Sequence, residues 1–271
     1  MAQLKKQILS IIRGSGLSKV ADDLRFAALS IKNFKRNRAF NQEYPGVALP
    51  PAYIVYESFQ IDYRKYFEGG REDAEWIASL VKPFLQNRLL SILDWGCGPA
   101  RIIRHLPALL GEQNQYFGTH YNAGTIAWCK SNIPNISFSE NQLFPPLPLA
   151  ANQFDLIYGI SILTHLSEEN HFSWVKELHR ILSPSGVLIL TTHGDAFLEK
   201  LTAEETQMYH SQKIVTRHKT KEGHRTYGSF HPPAFVRELF IKNGLQIASH
   251  LPGQKVTASY ISQDVWILNK V

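Results

Sequence analysis

The chain has 271 residues, 44 % hydrophobic and 19 % charged, with a formal net charge of +6. These proportions fit a globular protein able to bury a sizeable core, and no window nears the roughly 18 uninterrupted apolar residues of a membrane-spanning helix. Cys97 and Cys129 are too few for a disulfide framework or a four-cysteine zinc site, so a reduced, cytoplasmic setting without a metal is expected.

The charge is uneven. Residues 1–40 hold nine Lys and Arg against Asp22 and Asp23, so this arm carries +7 and the rest of the chain −1. Leu4, Ile8, Ile11 and Ile12 recur at helical spacing, and the run lacks the small-residue cleavage site of a signal peptide. After Gly14-Ser15-Gly16 a second helical pattern uses Leu24, Ala27, Ala28, Ile31 and Phe34. Two uses suit such helices: packing on the body of the protein, the reading preferred here, or peripheral docking on an anionic membrane or acidic partner. Residues 40–70 read as a loop rich in aromatics, because Pro45-Gly46 and Pro50-Pro51 break helices. Tyr53, Tyr56, Phe59, Tyr63, Tyr66 and Phe67 would anchor the arm or cover a cleft.

From residue 71 strands and helices alternate. A helix over 71–85 precedes a strand at 89–94 and a helix over 99–110; a strand ending at Gly118-Thr119 precedes a helix over 123–131. A short strand at 136–139 leads through "LFPPLPL" to a strand at 154–158, and Ser167 caps a helix over 168–182. The turn 183–186 and the strand 187–191 follow, and a helix over 233–242, a strand at 245–249 and "DVWILNK" close the chain. This alternation predicts an α/β fold with a parallel sheet and helices on both faces. Residues 1–70 would be an N-terminal extension to a domain over 71–271, with residues 195–230 inserted as a solvated hairpin or substrate lid.

The stretch "SILDWGCGPARII" (91–103) has the form of a strand, a tight turn and a helix. Gly96 and Gly98 let a ligand approach the backbone, and a helix N-terminus there would offer unpaired N–H groups. A dinucleotide-binding turn would require a third glycine at 101, where Arg101 stands. "LDWGCGPAR" resembles the first motif of class I S-adenosylmethionine-dependent methyltransferases. "FDLIYGISILTHLSEE", "WVKELHRILSPSGVLILTT" and "QDVWILNK" resemble, in order, the family's fourth strand and exit, fifth strand with its helix, and last strand. "PPLPL" followed by "FDLIYGISILTHL" is similar to bacterial members acting on sugars, glycans and other small hydroxylated molecules.

The resemblance, spanning about 71–271, implies a Rossmann-like methyltransferase fold: a mostly parallel seven-stranded sheet with an antiparallel last strand. It implies S-adenosyl-L-methionine as cofactor. Gly96 and Gly98 would lie beneath its methionine portion, and Asp94 would organise the turn and attract its amino group. Asn141 and Gln142 would sit near the adenine edge, and Gly159, Ile160 and Ser161 beside the sulfonium. The family usually ends its second strand with an acidic residue that holds the ribose. Here His120 stands there, followed by Tyr121, and a neutral imidazole cannot accept two hydroxyls as a carboxylate does.

An oxygen nucleophile needs its proton removed, a task suited to histidine. His120, His165, His193 and His231 fall where strand ends should cluster; His165 is the first candidate for general base, His193 the second, and His231 would help from the lid. The place of the base-nitrogen methylation motif reads "GISI", neither cysteine suits cytosine-carbon methylation, and basic and aromatic residues do not interleave, so nucleic acid is not the expected partner. The expectation is therefore an O-methyltransferase acting on a sugar, glycan or small hydroxylated acceptor. The competing reading is a binding or scaffold protein that keeps the fold without turnover.

Overall fold

The computed structural model describes residues 18–84, 88–217, 221–223, 226–258 and 260–271. The helix expected around Leu4–Ile12, and His218, Lys219, His224 and Arg225 of the insertion, lie outside the described residues. Two compact units divide the chain, residues 1–72 and 73–271.

The first unit contains helices α1 (Ser18–Glu43) and α2 (Ala52–Phe59) and the start of α3 (Tyr63–Val81). Residues 40–70 are thus not the expected loop. Pro51 occupies the N-cap of α2, where it interrupts no helical hydrogen bond, so the proline pair punctuates the helix start. Behind it Tyr53, Tyr56 and Phe59, then Tyr63, Tyr66 and Phe67, recur every three or four residues, a helical period the prolines conceal. Phe26 of α1 meets Tyr56 edge-on at 5.4 Å, and Phe40 stacks on Tyr44 at 4.8 Å. The apolar pattern of α1, expected to pack inward, instead faces outward: Leu24, Ala27, Ala28, Ile31 and Phe34 are exposed, whereas Asn33, Asn37 and Phe40 are buried.

In the second unit, seven strands among the described residues form one sheet in the order β3-β2-β1-β4-β5-β9-β8. They are β1 (Ser91–Trp95), β2 (Gln115–His120), β3 (Ser137–Glu140), β4 (Phe154–Gly159), β5 (Leu182–Thr192), β8 (Leu245–Leu251) and β9 (Asp264–Lys270). β9, between β5 and β8, runs antiparallel to both. The order reverses between β1 and β4, the kind of switch point where open α/β sheets bind ligands at strand carboxyl ends. Helices α5 (Ala123–Asn132), α6 (Glu168–Ile181) and α8 (Pro233–Lys242) cross between strands. Asn122 caps α5 by accepting Thr125 N–H at 2.9 Å, and Ser167 caps α6 by accepting Asn170 N–H.

Strand alternation assigns the two faces. Leu93 and Trp95 enter a core with Trp174, Leu178, Leu190 and Trp266; Ile92 enters another with Ile77, Tyr158 and Ile189. The expected helix over 99–110 is not continuous. A turn is followed by a 3-10 turn at Ile103–His105 and a five-residue helix, α4 (Leu106–Leu110). Pro107 cannot donate to the Ile103 carbonyl, and Ala100 is left-handed at φ 58°, so helix cannot run through from Gly98. The insertion folds as a 3-10 segment (Asp195–Lys200), helix α7 (Ala203–His210) and a β6–β7 hairpin (Val215–Arg217 with Gly228–Phe230).

Candidate active site

A pocket opens where β1, β2, β3 and β4 end. Trp95 and Gly96 follow from β1, His120 and Tyr121 from β2, Asn141, Gln142 and Leu143 from β3, and Ile162, His165 and Leu166 from the exit of β4. Trp174 closes the floor against Trp95, ring centroids 5.1 Å apart, and Gly223 arrives from the insertion. Among the described lining residues none carries a carboxylate, ammonium or guanidinium group.

The glycines serve the turn in different ways. Gly96 (φ 82°) has its bare face covered by the Ile162 side chain, while Gly98 (φ 51°) has nothing within 4 Å of where a β-carbon would stand. At the β3 edge Asn141 donates through Nδ2 to the Gln142 carbonyl, leaving its Oδ1 buried without a partner among the described residues. Buried acceptors are normally satisfied, so this one suits a ligand N–H.

His165 sits on the 3-10 turn Leu163–His165 and is bound to the insertion at two points. Its Nδ1 lies 2.9 Å from the Tyr227 carbonyl, and its own carbonyl accepts Gly223 N–H at 2.9 Å. A carbonyl only accepts, so Nδ1 carries a proton, and in the singly protonated ring the lone pair sits on Nε2. Tyr121 donates to the Gly223 carbonyl at 3.2 Å, and Glu222 accepts from Ser167 N–H and Asn170 Nδ2 at the start of α6. Glu222, Gly223 and Tyr227 are thereby fastened around the turn that carries His165.

Two of the sequence candidates have unusual electrostatics. Burial pushes the His120 imidazole down to about 4, so it is neutral at physiological pH. Asp94 does not line the pocket. Strand alternation turns it to the opposite face from Trp95, where burial raises its carboxyl to about 7 against the opposing pull of the Tyr158 hydroxyl and the Arg101 guanidinium. Arg101, standing where a dinucleotide-binding turn needs glycine, forms an ion pair with Asp73.

Residues 92–186 match a family model described as a methyltransferase domain. A magnesium protoporphyrin IX methyltransferase of Synechocystis PCC 6803, solved with bound S-adenosylhomocysteine, superposes with a TM-score of 0.56 at 13 % identity, covering 89 % of this chain and 98 % of that one. An S-adenosylmethionine-dependent methyltransferase of Methanosarcina mazei gives 0.55 at 16 % identity, covering 71 % and 97 %. The glycopeptide N-methyltransferase MtfA gives 0.52 at 13 % identity, covering 74 % and 90 %. The fold is that of the class I S-adenosylmethionine-dependent methyltransferases.

Within this methyltransferase fold the second histidine candidate lies apart from the pocket lining. His193, after β5, donates from Nδ1 to the Ser229 carbonyl at 3.1 Å, and its Nε2 receives Gln263 Nε2–H at 3.2 Å. Phe197 and Phe230 flank its ring at 4.1 and 5.4 Å, and burial holds it down at about 4. His231 is fully buried and belongs to the same scaffold. Its Nδ1 accepts His193 N–H at 3.3 Å, so its Nε2 carries the proton given to His171 Nε2 at 2.8 Å; His171 donates in turn from Nδ1 to the Ser167 carbonyl. Ile160 packs into the core on the Tyr158 side and does not line the pocket. Ser161 takes a left-handed φ of 63°, its N–H given to Thr191 Oγ1 at 2.7 Å and its Oγ receiving Gln263 Nε2–H at 2.9 Å.

Trp95, Trp174, Leu143, Ile162 and Gly223 are pocket residues that the sequence reading does not single out. Trp95 had a signal: it alternates with Asp94 in the strand before the turn, so only one of the two faces the ligand side.

Proposed function

We propose that this protein is an S-adenosylmethionine-dependent methyltransferase that methylates a hydroxyl oxygen of a sugar, glycan or other small hydroxylated acceptor. One observation carries the reading: a histidine whose Nδ1 proton is held by the Tyr227 carbonyl lines the same pocket as the Gly96 turn and the Asn141 oxygen that lacks a partner among the described residues. The residues present fit the cofactor. Gly98 and Gly96 would carry its methionine portion, Asn141 and Gln142 its adenine, and His120 and Tyr121 its ribose. When bound, S-adenosylmethionine supplies a methyl group activated on a sulfonium.

This chain's own residues do the rest. Trp95, Leu143, Ile162, Leu166 and Trp174 exclude water from the pocket, which strips the acceptor oxygen of solvent. His165 Nε2 would take the acceptor's hydroxyl proton, leaving the oxygen to receive the methyl group that the cofactor would supply, and would then give the proton to solvent. The Tyr227 carbonyl stabilises the imidazolium through Nδ1–H. Gly223 and Glu222, holding the turn from the insertion, fix the ring's position.

A second reading, a protein that holds a ligand without turnover, is favoured by His120, a neutral group where a ribose-binding carboxylate is usual. Two measurements decide. Calorimetry with S-adenosylmethionine and S-adenosylhomocysteine should show binding below millimolar concentration, and its absence would exclude the enzyme reading. Incubating the protein with a native extract and isotopically labelled cofactor should produce a labelled methyl ether, identified by mass spectrometry. Binding with no labelled product would select the non-catalytic reading.

A further inference from the structure

Helix α1 turns polar side chains inward and apolar ones outward. Asn33 and Asn37, one turn apart, are buried and donate their amides to the Gln60 and Ile61 carbonyls at 2.8 Å each. Asn37 Oδ1 also accepts Tyr63 N–H at 3.1 Å. These contacts satisfy the backbone at the break between α2 and α3, where Gln60 and Ile61 are left-handed at φ 55° and 61°. The two asparagines therefore fix the inward face of α1.

The outward face is a stripe. Val20, Leu24, Ile31 and Phe34 are 53, 67, 79 and 63 % exposed. At roughly 100° per residue they fall, with Ala27, on one arc of about 80°. Single exposed apolar residues are ordinary, but four large ones in one line mark an interaction surface. Its borders are basic: Lys35 and Lys32 lie along one side, Arg38 continues the line at its C-terminal end, and all three are exposed. Among the described carboxylates of α1, Asp23 borders the stripe, while Asp22 is engaged by the Tyr56 hydroxyl on the inward side.

We propose that α1 is a membrane-surface helix that lays Val20, Leu24, Ile31 and Phe34 into the headgroup–acyl boundary of an anionic bilayer. Lys32, Lys35 and Arg38 reach the lipid phosphates. Charge distinguishes this occupant from a second copy of the chain, since a self-complementary pairing would set the same basic border against itself. The preceding sequence has the same combination, with Leu4, Ile8, Ile11 and Ile12 at helical spacing beside Lys5, Lys6 and Arg13. Among the described residues no helix is long and apolar enough to cross a membrane, so the attachment is to the surface. The site chemistry above plays no part in this inference.

Flotation of the full chain with vesicles tests it. Vesicles of phosphatidylcholine with about 30 % phosphatidylglycerol should carry the protein at least tenfold better than phosphatidylcholine alone, and added salt should release it. The double substitution Ile31→Glu with Phe34→Glu, confined to exposed positions, should lower binding at least tenfold with an unchanged circular-dichroism melt. The inference is overturned if the wild-type chain does not float with anionic vesicles, or if the double variant floats equally well. It is also overturned if ultracentrifugation without lipid shows a dimer that this variant dissolves, for the occupant is then a second copy.

Discussion

His165 and His193 follow adjacent strands and are anchored alike, each giving Nδ1–H to a carbonyl of the insertion, Tyr227 at 2.9 Å and Ser229 at 3.1 Å. Both rings therefore place their lone pair on Nε2. The difference is where the rings lie. Gln263 donates to His193 Nε2 and two phenylalanines flank that ring outside the pocket lining, whereas His165 lines the pocket beside Gly96. One anchoring pattern thus makes a structural post in one place and a candidate base in the other, and strand-end position alone cannot tell them apart. The sharpest break in this comparison would come from rate. His165→Ala should lower labelled-methyl incorporation by about 10²–10⁴-fold, while His193→Ala should change it less than about threefold and lower the urea midpoint instead. Equal losses from both would dissolve the distinction.

Acid distinguishes the pair less by rate than by stability. Burial holds His120, His171 and His193 at about 4, and His231 well below its ordinary value. The unfolded chain takes up these protons near pH 6.5, so their contribution is fully present above that pH and lost as pH falls toward 4. Asp94, raised to about 7, works the other way, its contribution lost as pH rises from about 4 toward 7. Four histidines outweigh one carboxyl, so unfolding free energy should drop by on the order of 3 kcal/mol between pH 7 and pH 5. Urea titrations should show the drop, and His171→Gln should make it shallower. A flat profile would mean that the His171–His231 pair is not held neutral.

At the cofactor edge the effects are smaller. If a carboxylate is what the ribose lacks, His120→Asp should tighten S-adenosylhomocysteine binding by about 1–2 kcal/mol in calorimetry, since charge-assisted hydrogen bonds are about twice as strong as neutral ones. No tightening would show that another group already holds the ribose. Asn141→Ala should weaken the same binding by about 1 kcal/mol, the worth of one neutral hydrogen bond. Unchanged affinity would remove Asn141 from the adenine contact.

The second unit was the more legible one. Period-two strands, the cap at Ser167 and "DVWILNK" each carry a local signal, and Pro233–Lys242 has the boundaries expected of it. The first unit misled, because Pro50-Pro51 hides the helical spacing of the aromatics. What turns α1 over is likewise not local: Asn33 and Asn37 bond a break more than twenty residues away. In the site, Gly96, His120, Tyr121, Asn141, Gln142 and His165 were placed together by strand ends, which sequence can locate. The side Asp94 faces, and the capping of His193 by Gln263, seventy positions away, depend on sheet pairing and could not be read from their neighbourhoods.

Ser161 joins the two histidines. It lies four residues before His165, and its Oγ takes the same Gln263 amide group that caps His193. Its φ of 63° is a conformation that costs a non-glycine L-residue roughly 1–2 kcal/mol. Ser161→Ala and Ser161→Gly both remove the hydroxyl, and the unsatisfied Gln263 donor should cost each about 1 kcal/mol. They differ in the backbone alone: glycine relieves the left-handed strain but adds freedom to the unfolded chain. The glycine variant should therefore be more stable than the alanine variant by about 0.5–1 kcal/mol in urea titration. An alanine variant as stable as the glycine one would show that the turn holds no strain. The exit of β4 would then keep its shape through the Thr191 and Gln263 hydrogen bonds, and the position of His165 would depend on them.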